Sequence, residues 1–262
     1  MSAMTNHFER EMLNTMRNTT AVAPASVHLA LFLSDPTESG TAGTEVSYAG
    51  YARQVVTFAA PATSGVVVSM ENATEIEFPK PNGAAGRVTH GAIMSAATGG
   101  DMLLYVQLTN PIELTADTVP RFIPGEVMLT MSGTMMDPGF KERVLNYLRG
   151  STINGFHPFY ALFDGDPLSG GAELMGTGYT RLPLEFDQPV EQISGQMMIT
   201  NLNATQTQPA TTSWGTWAFM VVMDAGTGGS RVWSKQNLGG AYTMNNNAQV
   251  YLRPGNVRLS MN

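Results

Sequence analysis

The chain contains itself twice, and this repeat limits its fold more than any other feature. Phe8-Glu9-Arg10-Glu11-Met12-Leu13-Asn14 returns as Phe140-Lys141-Glu142-Arg143-Val144-Leu145-Asn146. Leu29-Ala30-Leu31-Phe32 with Asp35-Pro36 returns as Tyr160-Ala161-Leu162-Phe163 with Asp166-Pro167. Gly50-Tyr51-Ala52-Arg53 with Phe58 returns as Gly178-Tyr179-Thr180-Arg181 with Phe186. Ala97-Thr98-Gly99-Gly100 returns as Gly226-Thr227-Gly228-Gly229, and Pro124-Gly125-Glu126-Val127 as Pro254-Gly255-Asn256-Val257. The offset is 132 at Phe8/Phe140, 128 at Gly50/Gly178 and 130 at Pro124/Pro254. Blocks in one order at one spacing mark a tandem duplication, with copies at residues 1–133 and 134–262.

Each copy opens with a helical stripe. Phe8, Met12, Leu13 and Met16 share one face of a helix, as do Phe140, Val144, Leu145 and Leu148. Asp137 is suited to cap the second helix with Pro138 at its first position, and Gly150 to end it. Asn6 with Glu9 reads as the capping pair of the first helix. Helices of roughly 12 residues are not stable alone in water, so both stripes must be covered. Burying such a stripe removes about 300 Å² from water, or several kcal/mol at about 25 cal/mol per Å². The cover is either the helix's own β unit or a neighbouring subunit, and the second, sharper reading makes all eight residues interface candidates. A terminal helix of that kind could be removed without unfolding either β unit.

Beyond the helices the period falls to two. His28–Leu33, Tyr51–Phe58, Glu75–Phe78, Met102–Leu108 and Val127–Met131 read as strands between Gly-, Pro- and Asn-rich turns. The expected fold is mainly β, two small antiparallel sandwiches or barrels, each preceded by a short amphipathic helix. The junction Ser132–Pro138 is short enough to hold the copies close together.

Charged residues are only 13% of the chain, against about a quarter in ordinary domains. With net charge −7 and lysine only at 80, 141 and 235, no basic groove for nucleic acid or polybasic membrane patch is expected. No apolar run reaches the roughly 20 residues of a membrane helix. The N-terminal MSAMTNHFEREMLN is polar and amphipathic, without the apolar stretch of an export signal. With no cysteine, disulfides, thiolate metal sites and a cysteine nucleophile are excluded.

Catalytic patterns are few. His7, His28, His90 and His157 do not form a metal-binding spacing. His90 has Phe219 as its counterpart, which favours packing. Asp164-Gly165-Asp166 resembles the start of a calcium loop, but the first copy has Ser34-Asp35 there. A side-chain-stabilised turn accounts for it. No P-loop or G-x-S-x-G elbow occurs. Arg53 and Arg181 are matched across the repeat and read as structural, bonding loop carbonyls or a carboxylate. No catalytic residue, cofactor or metal is therefore expected. The 18 methionines suit either core filling or a broad contact surface. Trp214, Trp217, Trp233 and Tyr242 are the aromatics that could serve a sugar-binding site.

The run Val27–Pro36, then Gly43-Thr44-Glu45-Val46 and Gly50–Phe58, resembles a family of small tailed-bacteriophage virion proteins labelled phage tail-fibre proteins. The Gly86-Arg87-Val88-Thr89-His90 segment and the Ala97–Gly100 turn match the end of that family pattern, as do Trp214–Trp217 and Gly226–Gly229. The resemblance covers nearly the whole chain, once per copy, with Pro183 and Phe219 as departures in the second. It implies a non-enzymatic structural part of a virion, associated with tail, collar or fibre or decorating the capsid. Partners are then other virion proteins and further copies of the chain, with a host surface glycan as an additional one. The alternative is a receptor- or carbohydrate-binding module, or a particle-borne glycan hydrolase. The turn and strand residues Asp35, Pro36, Tyr51 and Arg53, with Asp166, Pro167, Tyr179 and Arg181, carry the structural motif.

Overall fold

A computed structural model describes residues 2–237 and 239–261. The first copy runs β1 (Ser2–Met4), α1 (Asn6–Thr15), β2 (Val27–Phe32), β3 (Gln54–Val56), β4 (Ala62–Ser64), β5 (Val67–Glu71) and β6 (Ile76–Glu77). It closes with β7 (Gly86–Met94), β8 (Met102–Leu114), β9 (Arg121–Phe122) and β10 (Met128–Met131). The second copy runs α2 (Pro138–Tyr147), β11 (Phe159–Phe163), β12 (Leu182–Pro183), β13 (Val190–Glu191), β14 (Met197–Thr200) and β15 (Thr205–Gln206). It ends with β16 (Gly215–Trp217), β17 (Phe219–Met223), β18 (Arg231–Gln236), β19 (Tyr242–Met244), β20 (Tyr251–Leu252) and β21 (Arg258–Ser260).

The sheets repeat in the same order. In the first copy β1-β8-β7-β2-β3 faces β10-β5-β4, with β6-β9 alongside. In the second, β12-β11-β17-β18 and β13-β14-β21 answer these, with β15-β20 as the counterpart of β6-β9. The pairings are antiparallel throughout, as in a sandwich whose strands are joined by tight turns. The long β7–β8 hairpin is split in the second copy into the pairs β17–β18 and β16–β19.

Alternation fails in the central strands. All six residues of β2 are buried, because apolar groups cover both of its faces. Leu29 and Leu31 face the main core, while Ala30 and Phe32 join Ala92, Met94 and Met102 on the outer face. The second copy repeats this with Ala161, Phe163, Val221 and Met223. In the first copy the loop after Ser34 folds over that outer face. There Asn6 N–H donates to the Glu38 carbonyl at 2.9 Å, and Gly40 approaches the Met102 side chain.

The helices are ten residues each. Asp137 caps α2 by accepting from Gly139 N–H at 2.9 Å, with Pro138 next. Gly150 follows with φ +91°, a conformation that costs glycine nothing. At α1 the expected Asn6–Glu9 pair is replaced by Thr5, whose hydroxyl accepts from Phe8 N–H. Glu9 turns inward instead. No helix among the described residues is long and apolar enough to cross a membrane.

One apolar core runs through both copies. Helix α1 packs on β8 of its own copy and on β14 of the other. Helix α2 packs on β18 of its own and on β5 of the other. Phe8, Met12, Leu13 and Met16 are almost fully buried, as are Phe140, Val144, Leu145 and Leu148. The cover expected from a neighbouring subunit is supplied within the chain. Short helices are held here by tertiary packing from two sheets at once.

Candidate functional site

Two sets of polar residues have been built twice. In the first, Arg53 forks onto Glu45, with Nε to Oε1 and Nη2 to Oε2 both at 2.8 Å. Its Nη1 donates to the carbonyls of Ala96 and Gly99. The Tyr51 hydroxyl donates to Glu45 Oε1 and accepts from Leu31 N–H, at 3.1 and 3.0 Å. Arg181, Glu173 and Tyr179 repeat every one of these bonds, with Ala225, Gly228 and Leu162 as backbone partners. Bidentate, mostly buried pairs of this kind are strong and directional. Burial pushes both tyrosine hydroxyls well above their usual range, the carboxylates adding to it, so they stay protonated.

Three recurring sequence blocks and one carboxylate thus meet at one point. The central strand gives the Leu31 or Leu162 N–H, and the Gly-Tyr-x-Arg block gives the tyrosine and the guanidinium. The Gly-Gly turn gives the carbonyls, with Gly99 and Gly228 near φ +60°. The carboxylate Glu45 or Glu173 was the member not singled out from sequence. It sits eight residues before the arginine in both copies, and that equal spacing is the signal.

The second set lies where the copies meet. Ala21 and Ile153, matched in the repeat, pair with each other through two backbone hydrogen bonds of 2.9 and 3.0 Å. Equivalent residues bonding each other place a local two-fold axis between them. Around it the bonds come in reciprocal pairs. Arg17 Nε donates to the Phe186 carbonyl and Arg149 Nε to that of Phe58, both at 3.2 Å. Ala23 N–H donates to Thr152 Oγ1 and Gly155 N–H to Thr20 Oγ1, both at 3.3 Å. Gly155 lies so close that a Cβ there would sit 2.3 Å from the Asn18 carbonyl carbon.

The remaining candidates are in turns or in the core. Asp35 accepts from Thr37 N–H at 2.8 Å and stands 4.0 Å from His90 Nε2, with Pro36 buried beside it. Asp166 accepts from Leu168 N–H and caps the short 3₁₀ turn Pro167–Ser169, while Asp164 accepts from Ala172 N–H. The two aspartates are turned to different backbone amides. Among the described residues no group of three or more His, Asp or Glu is placed to hold a metal ion. Trp214, Trp217 and Trp233 are buried, and Tyr242 is 53% exposed. Of the adjacent methionines, Met136 and Met197 are buried while Met135 is 45% exposed.

No curated protein matches the chain at a significant level. A protein-family model does match, the one described as podophage GP4 fiber I protein gp80, over residues 3–130 and again over 140–260. Those segments are the two copies seen in the repeat and in the sheets. The chain therefore belongs to the podophage GP4 fiber I protein gp80 family, as a tandem duplication of a phage fibre protein and a structural part of the virion.

Proposed function

We propose that the chain is a non-enzymatic double module of the fibre apparatus that holds neighbouring virion proteins through subunit contacts. The observation that carries this is the reciprocal bracing of the copies by α1 and α2 around the Ala21–Ile153 pair. It turns two small sandwiches into one body with one core. The boundary between residues 133 and 134 then marks a repeat of sequence, and the cooperative unit is the whole chain. The candidate polar residues fit this role, because their strongest groups are tied to turns and strands of their own copy. Two arginine forks, two tyrosines and three turn aspartates are engaged in this way.

Location in the particle tests the reading. Purified virions should contain the chain at stoichiometric level, and cross-linking should join it to fibre or tail proteins. Its absence from infectious particles would overturn the proposal. So would release of reducing ends from host surface glycan by the purified chain.

A further inference from the structure

The two sandwiches differ at one end. The first keeps a cavity of about 180 Å³ between its sheets, lined by Leu29, Gly91, Leu104 and Met128 and Leu129 of β10 among others. The equivalent cavity of the second is about 80 Å³. Its counterpart residues are larger, with Tyr160 for Leu29, Met220 for Gly91 and Trp233 for Leu104. At Gly91 a Cβ would meet only ordinary contacts, the nearest at 3.6 Å, so nothing in the backbone forbids a filled site there.

The rims differ in the same sense. Around the first cavity Met128 is 60% exposed and Val106 and Leu108 are partly exposed, and Ile123, next to the lining residue Phe122, is 50% exposed. Their counterparts in the second copy are Arg258, Lys235, Asn237 and Arg253. Glu126 also lines the first cavity and Glu71 is the strand partner of Met128, where the second copy has Asn256 and Thr200. Among the described residues neither carboxylate has a basic side chain in ion-pair range, and Lys235, Arg253 and Arg258 have no acidic one. One copy thus offers an open apolar hole with acidic edges. The other offers a basic surface, and next to Arg253 stands Tyr251, an aromatic 53% exposed.

We propose that chains associate head to tail, the Tyr251–Arg253 edge of one docking at the open first sandwich of the next. The phenol ring enters the cavity beside Gly91, in the region that larger side chains narrow in the second copy. Its hydroxyl reaches the wetter edge formed by Gln107 and Thr109, which also line the cavity. Arg253 and Arg258 face Glu71 and Glu126 across the rim, which fixes direction and register. The contact joins different surfaces, so it continues from chain to chain instead of closing on itself. This deepens the reading of a structural module by naming the surface and the partner, a second copy of the chain.

Sedimentation velocity of the purified full chain over a wide concentration range tests it. The wild type should form dimers and larger species that shrink as salt is raised. A Gly91→Met, Met128→Arg double variant and a Tyr251→Ser variant should each remain monomeric, with melting curves showing that both are folded. Mixing them should restore dimers and nothing larger, since one variant keeps the knob and the other keeps the hole. A wild type that stays monomeric throughout would overturn the proposal, as would a variant that associates like the wild type or a mixture that does not pair. Such a failure leaves particle incorporation untouched, so it is distinguishable from failure of the structural reading.

Discussion

Glu9 and Lys141 stand at the same position of the two repeats, and each bonds to the backbone of the opposite copy. Glu9 Oε2 accepts from Met197 N–H at 2.7 Å. Lys141 Nζ donates to the carbonyl of Val66, and to that of Gly133 at 2.6 Å. Both are almost fully buried. A carboxyl group and an ammonium group at equivalent positions thus meet opposite ends of the peptide dipole. Each helix is locked to the other copy by a polar bond as well as by its apolar stripe.

Glu9 makes this lock sensitive to pH. Burial raises its carboxyl to about 8, with Glu38 and Glu191 adding to the rise and the Met197 N–H opposing it. Between the unfolded value near 4.5 and about 8, the folded chain holds a proton that the unfolded chain has released. The associated stability is full below the unfolded value and is lost as pH rises through the folded one. Thermal melts should therefore show the wild type losing stability between about pH 5 and about pH 8.5 relative to Glu9→Gln. Parallel pH profiles of the two proteins would contradict this.

Bracing by both helices predicts that the copies unfold together. Calorimetry of the full chain should give one transition whose van't Hoff and calorimetric enthalpies agree. Met12→Ala, at a site with no exposure, should cost about 2–5 kcal/mol and keep the single transition. Removing residues 1–18 uncovers β14 as well as β8, so the truncated chain should bind a hydrophobic dye and lose the shared transition. Two separate transitions in the intact chain would show that the copies are independent.

The arginine forks predict a cost for a substitution that keeps the charge. The Arg53 side chain is 12% exposed, and its removal leaves Glu45 with the Tyr51 hydroxyl as its remaining donor and takes the guanidinium from two carbonyls. Arg53→Ala should destabilise by about 3 kcal/mol, and Arg53→Lys should recover only part of that because a point charge cannot fork. Arg181→Ala should match it. Chemical denaturation of the single variants measures both effects, and a loss below about 1 kcal/mol would reduce the forks to ordinary surface pairs.

Gly155 tests the meeting point of the copies. Its repeat counterpart is Ala23, so a β-carbon is tolerated on one side of the local axis. On the other side it would strike the backbone of Asn18 and Thr19. Gly155→Ala should cost about 2–3 kcal/mol by denaturant unfolding, whereas Ala23→Gly should cost well under that. Equal effects would mean that the close approach can relax freely.

Much of this architecture is written in local signals. The repeat, the strands at Val27–Phe32 and Met128–Met131, the Asp137-Pro138 start of α2 and the left-handed Gly150 follow from neighbouring residues alone. Backbone preferences, caps and turns act over a few residues, and a sequence displays them directly. The match of Arg53 to Arg181 also marked a conserved spacing within the chain, although their shared partner, Glu45 or Glu173, emerged only in space. An apolar stripe states that a helix needs cover and is silent on whose cover it is. Only the tertiary structure placed α1 on β14 and α2 on β5, because burial rewards any apolar surface and geometry alone selects among them. The same holds for the open cavity beside Gly91. Its volume depends on side chains from strands far apart in sequence, so it exists only once the sheets have packed.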